Sequence, residues 1–327
     1  MTHTAKLLRK TALGRITGAL LLCCALSSPV AAAETDLTLP GPAGPLGATL
    51  SLPESVRAAV LILPGSGPTD RNGNSAFGLK TDTYRKLAEG LADHAIATLR
   101  ADKRGVGTSG GDGNAVTLDA YARDADLLID MLRDRGPQTC VWLAGHSEGG
   151  LIALKVAQRR DDLCGIILLA TPGRPVSAIL LEQLSRVPEL ENDLPMAQKA
   201  ILQLVIGNPV PVADLPPSLQ GLFAPQVQPF LIDLFAHNPT ELAQATDLPL
   251  LIVQGDADLQ IGMQDADVLA QARPDSQRLT LPGMTHVLKT TPGPTRQDNM
   301  TTYRDPNLPL TDGLVDAIAG FILDDRP

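Results

Sequence analysis

The chain has 327 residues, of which 44% are hydrophobic and 19% charged, and a formal net charge of −9 at pH 7. This composition is typical of globular proteins and excludes collagen-like or disordered chains. The first 33 residues contain basic but no acidic side chains, so the remainder is still more acidic, which disfavours binding to the phosphates of nucleic acids.

The N-terminal segment has the pattern of a secretory signal peptide. Basic residues precede an apolar run at residues 16–26, and small residues follow Pro29 as far as Ala33. We therefore expect residues 1–33 to be removed on export to the periplasm or the medium, and residues 34–327 to form one folded domain. An uncleaved membrane anchor is disfavoured because Pro29 interrupts the apolar run, so no stable membrane insertion is expected after cleavage.

The rest of the chain has the pattern of an α/β protein. Residues 37–39 and 48–52 alternate around glycine and proline and predict a short antiparallel pair. Continuous apolar runs follow at residues 58–63, 96–99, 141–144, 165–170 and 249–253. Such runs are typical of strands covered on both faces, and the segments between them have helical spacing. We therefore predict a mostly parallel central sheet that is flanked by helices.

One long segment interrupts this alternation. Residues 174–247 are rich in proline, contain apolar helical stretches such as residues 197–206, and include no convincing strand. Because the buried-strand pattern resumes directly afterwards, we interpret the segment as a helical insertion between two strands of the sheet.

The pattern G-x-S-x-G occurs at residues 145–149, at the end of a predicted strand and directly before a helical run. In this context the pattern forms a sharp turn that exposes a nucleophilic serine, here Ser147, at the carboxyl edge of the sheet. The turn is too tight for side chains on either side, which explains Gly145 and Gly149. Ser147 is therefore the candidate nucleophile.

A serine nucleophile needs a general base, and that base needs an acid to orient it. Of the five histidines, His286 alone lies in a late loop, between a predicted last strand at 278–281 and a predicted closing helix at 311–323. The loop after the strand near residue 250 supplies two candidate acids, Asp256 and Asp258, and their spacing alone does not choose between them.

Two backbone N–H groups are the candidates for stabilising an oxyanion. The glycine-rich stretch around Ser66 follows the first parallel strand, where a loop carrying such a donor belongs. The residue after the nucleophile, Glu148, supplies the second N–H at a helix N-terminus.

Five segments of the chain resemble the α/β-hydrolase superfamily, and more narrowly bacterial exported serine esterases with a helical lid. They are PGSGPTDRNGN at residues 64–74, DKRGVGTS at 102–109, GHSEGG at 145–150, QGDADLQI at 254–261 and GMTH at 283–286. The resemblance spans nearly all of the chain after residue 33 and is poorest in the insertion. It implies an α/β-hydrolase fold in which residues 174–247 form the lid.

The resemblance also implies a serine esterase that needs no metal ion and no organic cofactor. Ser147 would attack a carboxylic ester, His286 would act as the base, and Asp258, three residues past Gly255, would orient His286. Asp256 would then satisfy N–H groups of the turn. The partner would be a small-molecule ester, and the few aromatic residues and the apolar lid favour short to medium acyl chains. Nothing in the sequence indicates an oligomeric state.

Other functions are compatible with the same residues. A serine peptidase or a thioesterase would use the same triad, although oligopeptidase-type enzymes carry an appended domain and no repeats of about 45 residues occur here. A non-catalytic lipid-binding protein on a hydrolase scaffold would lack a member of the triad. We therefore favour ester hydrolysis.

Two side-chain pairings are expected near strand ends. Cys140 and Cys164 begin consecutive strands that should be neighbours, so their Cα atoms should lie ~5 Å apart, within disulfide range. The bond would stabilise the exported protein by ~3 kcal/mol. Asp102 and Arg104 end a strand and are expected to pair with each other across a turn.

Overall fold

The computed structural model describes residues 1–2, 32–135 and 140–324, so the predicted signal peptide lies almost entirely outside the described residues. The strands of the described part are β1 (Ala33–Gly41), β2 (Gly44–Leu52), β3 (Ala58–Leu63), β4 (Ile96–Ala101), β5 (Val141–His146), β6 (Leu163–Leu169), β7 (Leu250–Gly255) and β8 (Gln277–Leu281). All eight belong to one sheet with the order β1-β2-β4-β3-β5-β6-β7-β8.

The sheet is mostly parallel, as predicted. β1 and β2 form the predicted antiparallel pair, although both are longer than the sequence pattern indicated, and β2 is also antiparallel to β4. All remaining neighbours are parallel. Every residue of β3 to β7 is buried, which is why these strands have continuous apolar sequences rather than alternating ones.

Helices cover both faces of the sheet and fill the long connection between β6 and β7. They are α1 (Thr83–Asp93), α2 (Leu118–Arg135), α3 (Glu148–Ala157), α4 (Val176–Ser185), α5 (Leu194–Val205), α6 (Pro217–Gln220), α7 (Gln228–Phe235), α8 (Pro239–Gln244), α9 (Met263–Ala272), α10 (Arg296–Thr301) and α11 (Leu314–Asp324), with 3₁₀ helices at Pro188–Asp193 and Val212–Asp214. Within the residues that the structure describes, no helix is both long and apolar enough to cross a membrane.

The core has two layers, one on each face of the sheet. Leu61 and Leu63 of β3 pack on the side of α2, α3 and α9, whereas Val60 and Ile62 pack on the side of α1 and α11. This division follows from the strand geometry, because successive side chains of a strand point to opposite faces. The parallel sheet with helices on both faces confirms the predicted fold class.

The segment between β6 and β7 is helical throughout its regular structure and has a small apolar core of its own. Leu204, Phe223 and Leu231 are among the residues of that core. The segment is tied to the loop after β7: the Arg186 guanidinium donates to the carbonyl of Leu259 (2.9 Å), and the Gln183 amide donates to the carbonyl of Gln260 (3.1 Å). The first helix of the segment is therefore anchored beside Asp258.

A disulfide joins the amino-terminal ends of two neighbouring strands. Cys140 directly precedes β5 and Cys164 lies in β6, and their Cα atoms are 5.0 Å apart. The distance follows from the parallel pairing of the two strands, which places Val141 opposite Leu163.

The expected pairing of Asp102 with Arg104 is wrong. The Asp102 carboxylate pairs with Arg71 (2.6 Å) and accepts the backbone N–H of Thr108 (2.9 Å), whereas Arg104 forms a two-pronged contact with Asp124 in α2 (2.6 and 2.8 Å). Side chains two residues apart point to the same face of a strand, but this rule no longer applies beyond the end of the strand. Here the chain turns at position 102, so the two side chains meet different elements.

Candidate active site

The sharp turn at Ser147 is formed as the sequence predicts. Ser147 links β5 directly to α3 with φ 54° and ψ −121°, a backbone conformation that is strained for a residue with a side chain. Its N–H donates to the carbonyl of Leu169 at the end of β6 (2.8 Å). A Cβ at Gly145 would lie 2.3 Å from the carbonyl oxygen of Gly149, and one at Gly149 would lie 2.2 Å from that of Leu63. Only glycine fits at either position.

The structure brings His286 and Asp258 together. His286 Nδ1 and Asp258 Oδ2 are 2.8 Å apart, and both side chains are buried. The other carboxylate oxygen, Oδ1, accepts the backbone N–H groups of Gln260 (2.7 Å) and Ile261 (3.0 Å). Asp258 is therefore held on one side by the turn after β7 and presents its second oxygen to the imidazole, an arrangement that fixes the Nδ1–H tautomer of His286.

Asp256 faces a different partner. Its Oδ1 accepts the N–H of Gly283 (2.6 Å), so it joins the loop after β7 to the turn after β8. The two aspartates that sequence spacing left open thus have distinct surroundings, and only Asp258 reaches His286. Among the described residues, the Ser147 hydroxyl and the His286 ring are not joined by a hydrogen bond, although the ring of His286 lies against that of His146, the residue before Ser147 (centroids 4.8 Å apart).

The glycine-rich loop after β3 lies directly against the serine turn. A Cβ on Gly65 would come within 3.3 Å of Ser147 Cβ and 3.2 Å of His146 Nδ1. Within the described part of the chain, the N–H groups of Ser66 and Glu148 donate to no acceptor, although Glu148 is buried. The two N–H groups remain the candidate donors to a ligand oxygen.

A hydrogen-bonded chain that the sequence did not reveal connects this loop to the histidine loop. The N–H of Gly65 donates to the Tyr84 hydroxyl (2.9 Å), which lies 2.8 Å from His146 Nδ1, and His146 Nε2 donates to the carbonyl of His286 (2.7 Å). Burial, with a smaller contribution from His286, lowers the pKa of His146 to about 3. His146 is therefore neutral, with its proton on Nε2 and Nδ1 accepting from Tyr84.

A buried ion pair lies beneath the same loop. Lys103 Nζ is 2.8 Å from Glu148 Oε1, and both side chains are almost completely buried. The ammonium group also donates to the carbonyl of Gly65 (3.2 Å) and lies 4.5 Å from the centre of the Tyr121 ring. Burial by itself would lower the pKa of Lys103, but the Glu148 carboxylate outweighs it and holds the pKa above its ordinary value. Lys103 therefore carries its positive charge.

Neither of these networks has a simple sequence signal. Tyr84 lies on a helix whose other buried residues are ordinary core positions, and Lys103 stands between Asp102 and Arg104, where the sequence predicts only a turn. Among the described residues, no group of three histidine, cysteine, aspartate or glutamate side chains is arranged to hold a metal ion.

Comparison with known proteins places this architecture in a family. Residues 77–290, well over half of the chain, match the family model described as serine aminopeptidase, S33. The chain is similar to the esterase EstD of Thermotoga maritima, with 26% identity over 236 residues, which cover 72% of this chain and 54% of that protein. A protein phosphatase methylesterase of Candida albicans is 28% identical over 109 residues, which cover 31% of this chain and 30% of that protein. This chain thus spans about half or less of the length of these curated relatives.

Solved structures show the same fold. The Pyrococcus furiosus esterase Pf2001 has a TM-score of 0.56 at 16% identity and covers 89% of this chain and 92% of its own. Est1E of Butyrivibrio proteoclasticus with bound ferulic acid has a TM-score of 0.56 at 19% identity and covers 88% of this chain and 96% of its own. A thermophilic esterase of Thermogutta terrifontis has a TM-score of 0.55 at 22% identity and covers 90% and 100%. The strand order and the family match confirm the resemblance to the α/β-hydrolase superfamily: this chain belongs to the serine aminopeptidase S33 family of that superfamily.

Proposed function

We propose that the protein is a serine hydrolase that cleaves carboxylic esters through Ser147, His286 and Asp258. The observation that carries this proposal is the buried contact of 2.8 Å between His286 and Asp258, next to a serine in a strained turn. In hydrolases of this architecture such an acid holds the imidazole in the tautomer that removes the serine proton and stabilises the imidazolium that forms.

The proposed reaction has two halves. Ser147 Oγ attacks the ester carbonyl while its proton passes to His286 Nε2, and the N–H groups of Ser66 and Glu148 receive the negative oxygen. His286 then protonates the departing alcohol, which leaves an acyl group on Ser147. A water molecule, deprotonated by His286, attacks that acyl group, and the acid is released as the serine regains its proton.

Ester hydrolysis is favoured over aminopeptidase activity, which the description of the family suggests as the second candidate. An aminopeptidase binds the α-ammonium group of its substrate, which requires a carboxylate at the site. Two buried carboxylates of this region are each paired with a group of the protein, Glu148 with Lys103 through one of its oxygens and Asp258 with His286. The names of the relatives point the same way, since EstD and the three structural neighbours are called esterases.

We further propose that residues 174–247 form a lid and that the acyl group is short to medium in length. The segment is helical, carries an apolar core and is anchored to the loop that holds Asp258. A lid of this kind lines a pocket with apolar side chains, which bind hydrocarbon rather than polar groups.

The test compares the hydrolysis of two substrate classes, 4-nitrophenyl esters of increasing acyl chain length and aminoacyl 4-nitroanilides. Each substrate is measured with the wild-type protein and with Ser147→Ala. We expect activity on the esters, highest at short to medium chains, and at least about a 10³-fold loss in the variant. Unchanged ester hydrolysis by Ser147→Ala, or faster cleavage of the anilides than of the esters, would contradict the proposal.

Export is a separate part of the proposal. Disulfides persist in oxidising compartments, so the bond between Cys140 and Cys164 supports export to the periplasm or the medium. The proposed cleavage after Ala33 rests on the pattern of the N-terminal sequence. Expression of the full chain in a bacterial host, followed by N-terminal sequencing of the exported fraction, should give a mature protein that begins at Glu34. Recovery of the intact chain from the cytoplasm alone would contradict it.

A further inference from the structure

The peptide between Gly65 and Ser66 carries the proposed oxyanion donor on one side and an acceptor on the other. The N–H belongs to Ser66, and the carbonyl oxygen of the same peptide belongs to Gly65. That oxygen accepts a hydrogen bond from Lys103 Nζ at 3.2 Å. Because the peptide unit is planar, a donor fixed on its oxygen also fixes the direction in which its N–H points.

Glu148 supplies the other end of the same arrangement. Its backbone N–H is the second proposed oxyanion donor, and its side chain accepts from Lys103 Nζ at 2.8 Å. One ammonium group thus contacts both the peptide that carries the Ser66 N–H and the side chain of Glu148. It also offsets the Glu148 carboxylate, a negative charge that would otherwise oppose the charge developing on the substrate oxygen.

We propose that Lys103 is a positioning residue for the oxyanion site: its ammonium group orients the Gly65–Ser66 peptide, polarises the Ser66 N–H towards the substrate and neutralises Glu148. A hydrogen bond to a peptide oxygen strengthens the donor on its nitrogen, and the effect is larger in a buried setting. Lys103 and Glu148 are both almost completely buried, and Tyr84 holds the N–H of Gly65 from another direction. The inference rests on the proposed function, since it assigns a role within that reaction.

The contacts of Lys103 are present in the free protein, but we expect their benefit to appear when negative charge develops on the substrate oxygen. Lys103 does not reach the substrate, so its loss should lower kcat and leave KM nearly unchanged. The variant to use is Lys103→Met with Glu148→Gln, because Lys103→Met alone would leave a buried carboxylate without its cation. The double variant removes the ion pair while keeping the volume of both side chains.

The matched control removes another buried ion pair that is adjacent in sequence. Arg104 and Asp124 are buried to a similar extent and do not contact Gly65. The double variant Arg104→Met with Asp124→Asn should lower thermal stability but retain kcat within about twofold per active site. Active sites are counted in every sample by titration with a fluorophosphonate, so that kcat refers to folded protein only.

In the Lys103→Met, Glu148→Gln variant we expect kcat on 4-nitrophenyl butyrate to fall about 10- to 100-fold with KM within about twofold. The inhibition constant of a trifluoromethyl ketone, which forms a tetrahedral oxyanion adduct, should weaken by the same factor. If that variant yields no titratable sites, Lys103→Arg takes its place. Arginine keeps the charge but cannot place one nitrogen on both partners, so kcat should fall and the inhibition constant should rise, each at least threefold.

Two outcomes contradict the inference in different ways. The first outcome overturns the role of Lys103 alone: the wild-type protein hydrolyses esters through Ser147, but the double variant has the wild-type kcat and inhibition constant. Where the double variant does not fold, the same values in Lys103→Arg overturn that role. A wild-type protein that hydrolyses no ester in a Ser147-dependent way overturns the proposed function, and this inference with it.

Discussion

The two ends of β5 and β6 are built on opposite principles. At the amino-terminal end, Cys140 and Cys164 join the strands by a covalent bond. At the carboxyl-terminal end, Ser147 has a strained backbone, and the buried charges of Lys103 and Glu148 are placed where an apolar core would cost less to form. The same strands therefore have a stabilising bond at one end and, at the other, a candidate active site whose strain and buried charges lower stability.

The largest effect is expected at the carboxyl-terminal end, where the kcat of Asp258→Asn is compared with that of Asp256→Asn. We expect the first to lower kcat about 10³- to 10⁴-fold, because an amide cannot stabilise the imidazolium of His286 and favours the wrong tautomer. The melting temperature should change little. The second should leave kcat within about twofold, since an amide oxygen can still accept the N–H of Gly283. Equal losses of kcat in the two variants would show that the acid has been assigned to the wrong residue.

Gly149→Ala tests whether the turn at the carboxyl-terminal end of β5 tolerates a larger side chain. The new Cβ would lie 2.2 Å from the carbonyl oxygen of Leu63 and 2.7 Å from that of Pro64, and neither backbone atom can yield without moving the glycine-rich loop. We expect a loss of unfolding free energy of about 3 kcal/mol or more, together with most of the activity.

The control for this prediction is Gly320→Ala in α11, where a Cβ would meet nothing within 4 Å outside its own helix. That substitution should stabilise the protein by about 0.5–1 kcal/mol because it reduces the freedom of the unfolded chain. Urea denaturation monitored by circular dichroism measures both variants. A stable and active Gly149→Ala protein would contradict the conclusion that only glycine can be accommodated at position 149.

Removal of the disulfide probes the amino-terminal end alone. The variant Cys140→Ser with Cys164→Ser should lose about 3 kcal/mol of unfolding free energy, because the bond closes a loop with a sequence separation of 24. Its kcat per active site at 25 °C should remain within about twofold of the wild type. A fall in kcat with no loss of stability would mean that the two ends are not independent.

The smallest expected effect concerns Lys289, in the loop after β8. Lys289 is buried and its ammonium group donates to the carbonyl of Asp305 (2.6 Å). Burial, reinforced by Lys86, lowers the pKa of Lys289 to about 8. Between that value and the ordinary pKa of a lysine, the unfolded chain binds a proton that the folded chain has released, so the folded state gains stability as the pH rises.

Lys289→Met should abolish this gain. From pH 7 to pH 10, the unfolding free energy of the wild type should rise by about 2 kcal/mol relative to that of the variant, measured by urea denaturation at each pH. Comparison at equal pH cancels the titration of all other groups. A difference that does not depend on pH would show that Lys289 is as well solvated in the folded protein as in the unfolded one.

The fold was largely predictable because the sequence pattern and the strand geometry are linked directly. Runs without polar residues predict strands buried on both faces, and the structure has β3 to β7 in that form. The turn at Ser147 was predictable for a related reason, since glycine on both sides is a steric requirement that is visible in the sequence. The contact between His286 and Asp258 follows once the strand order is known.

The remaining parts of the site depend on contacts between distant segments, which no local pattern encodes. Asp102 and Arg104 are two residues apart, yet each finds its partner elsewhere, 31 positions away for Arg71 and 20 for Asp124. Tyr84 and His146 meet across a separation of 62. A buried lysine in a loop is recognised as part of a network only when its acceptors are placed in space, so Lys103 could not be assigned from the sequence.

The neutral state of His146 has a consequence for how protons would move in the proposed reaction. Its two ring nitrogens are both engaged, one as an acceptor from Tyr84 and the other as a donor to the main chain of His286. Two imidazoles therefore stand side by side at the serine, but only one has a nitrogen available for exchange. The acid limb of a pH–rate profile for the proposed reaction should accordingly follow the uptake of one proton and not two, because His146 stays neutral.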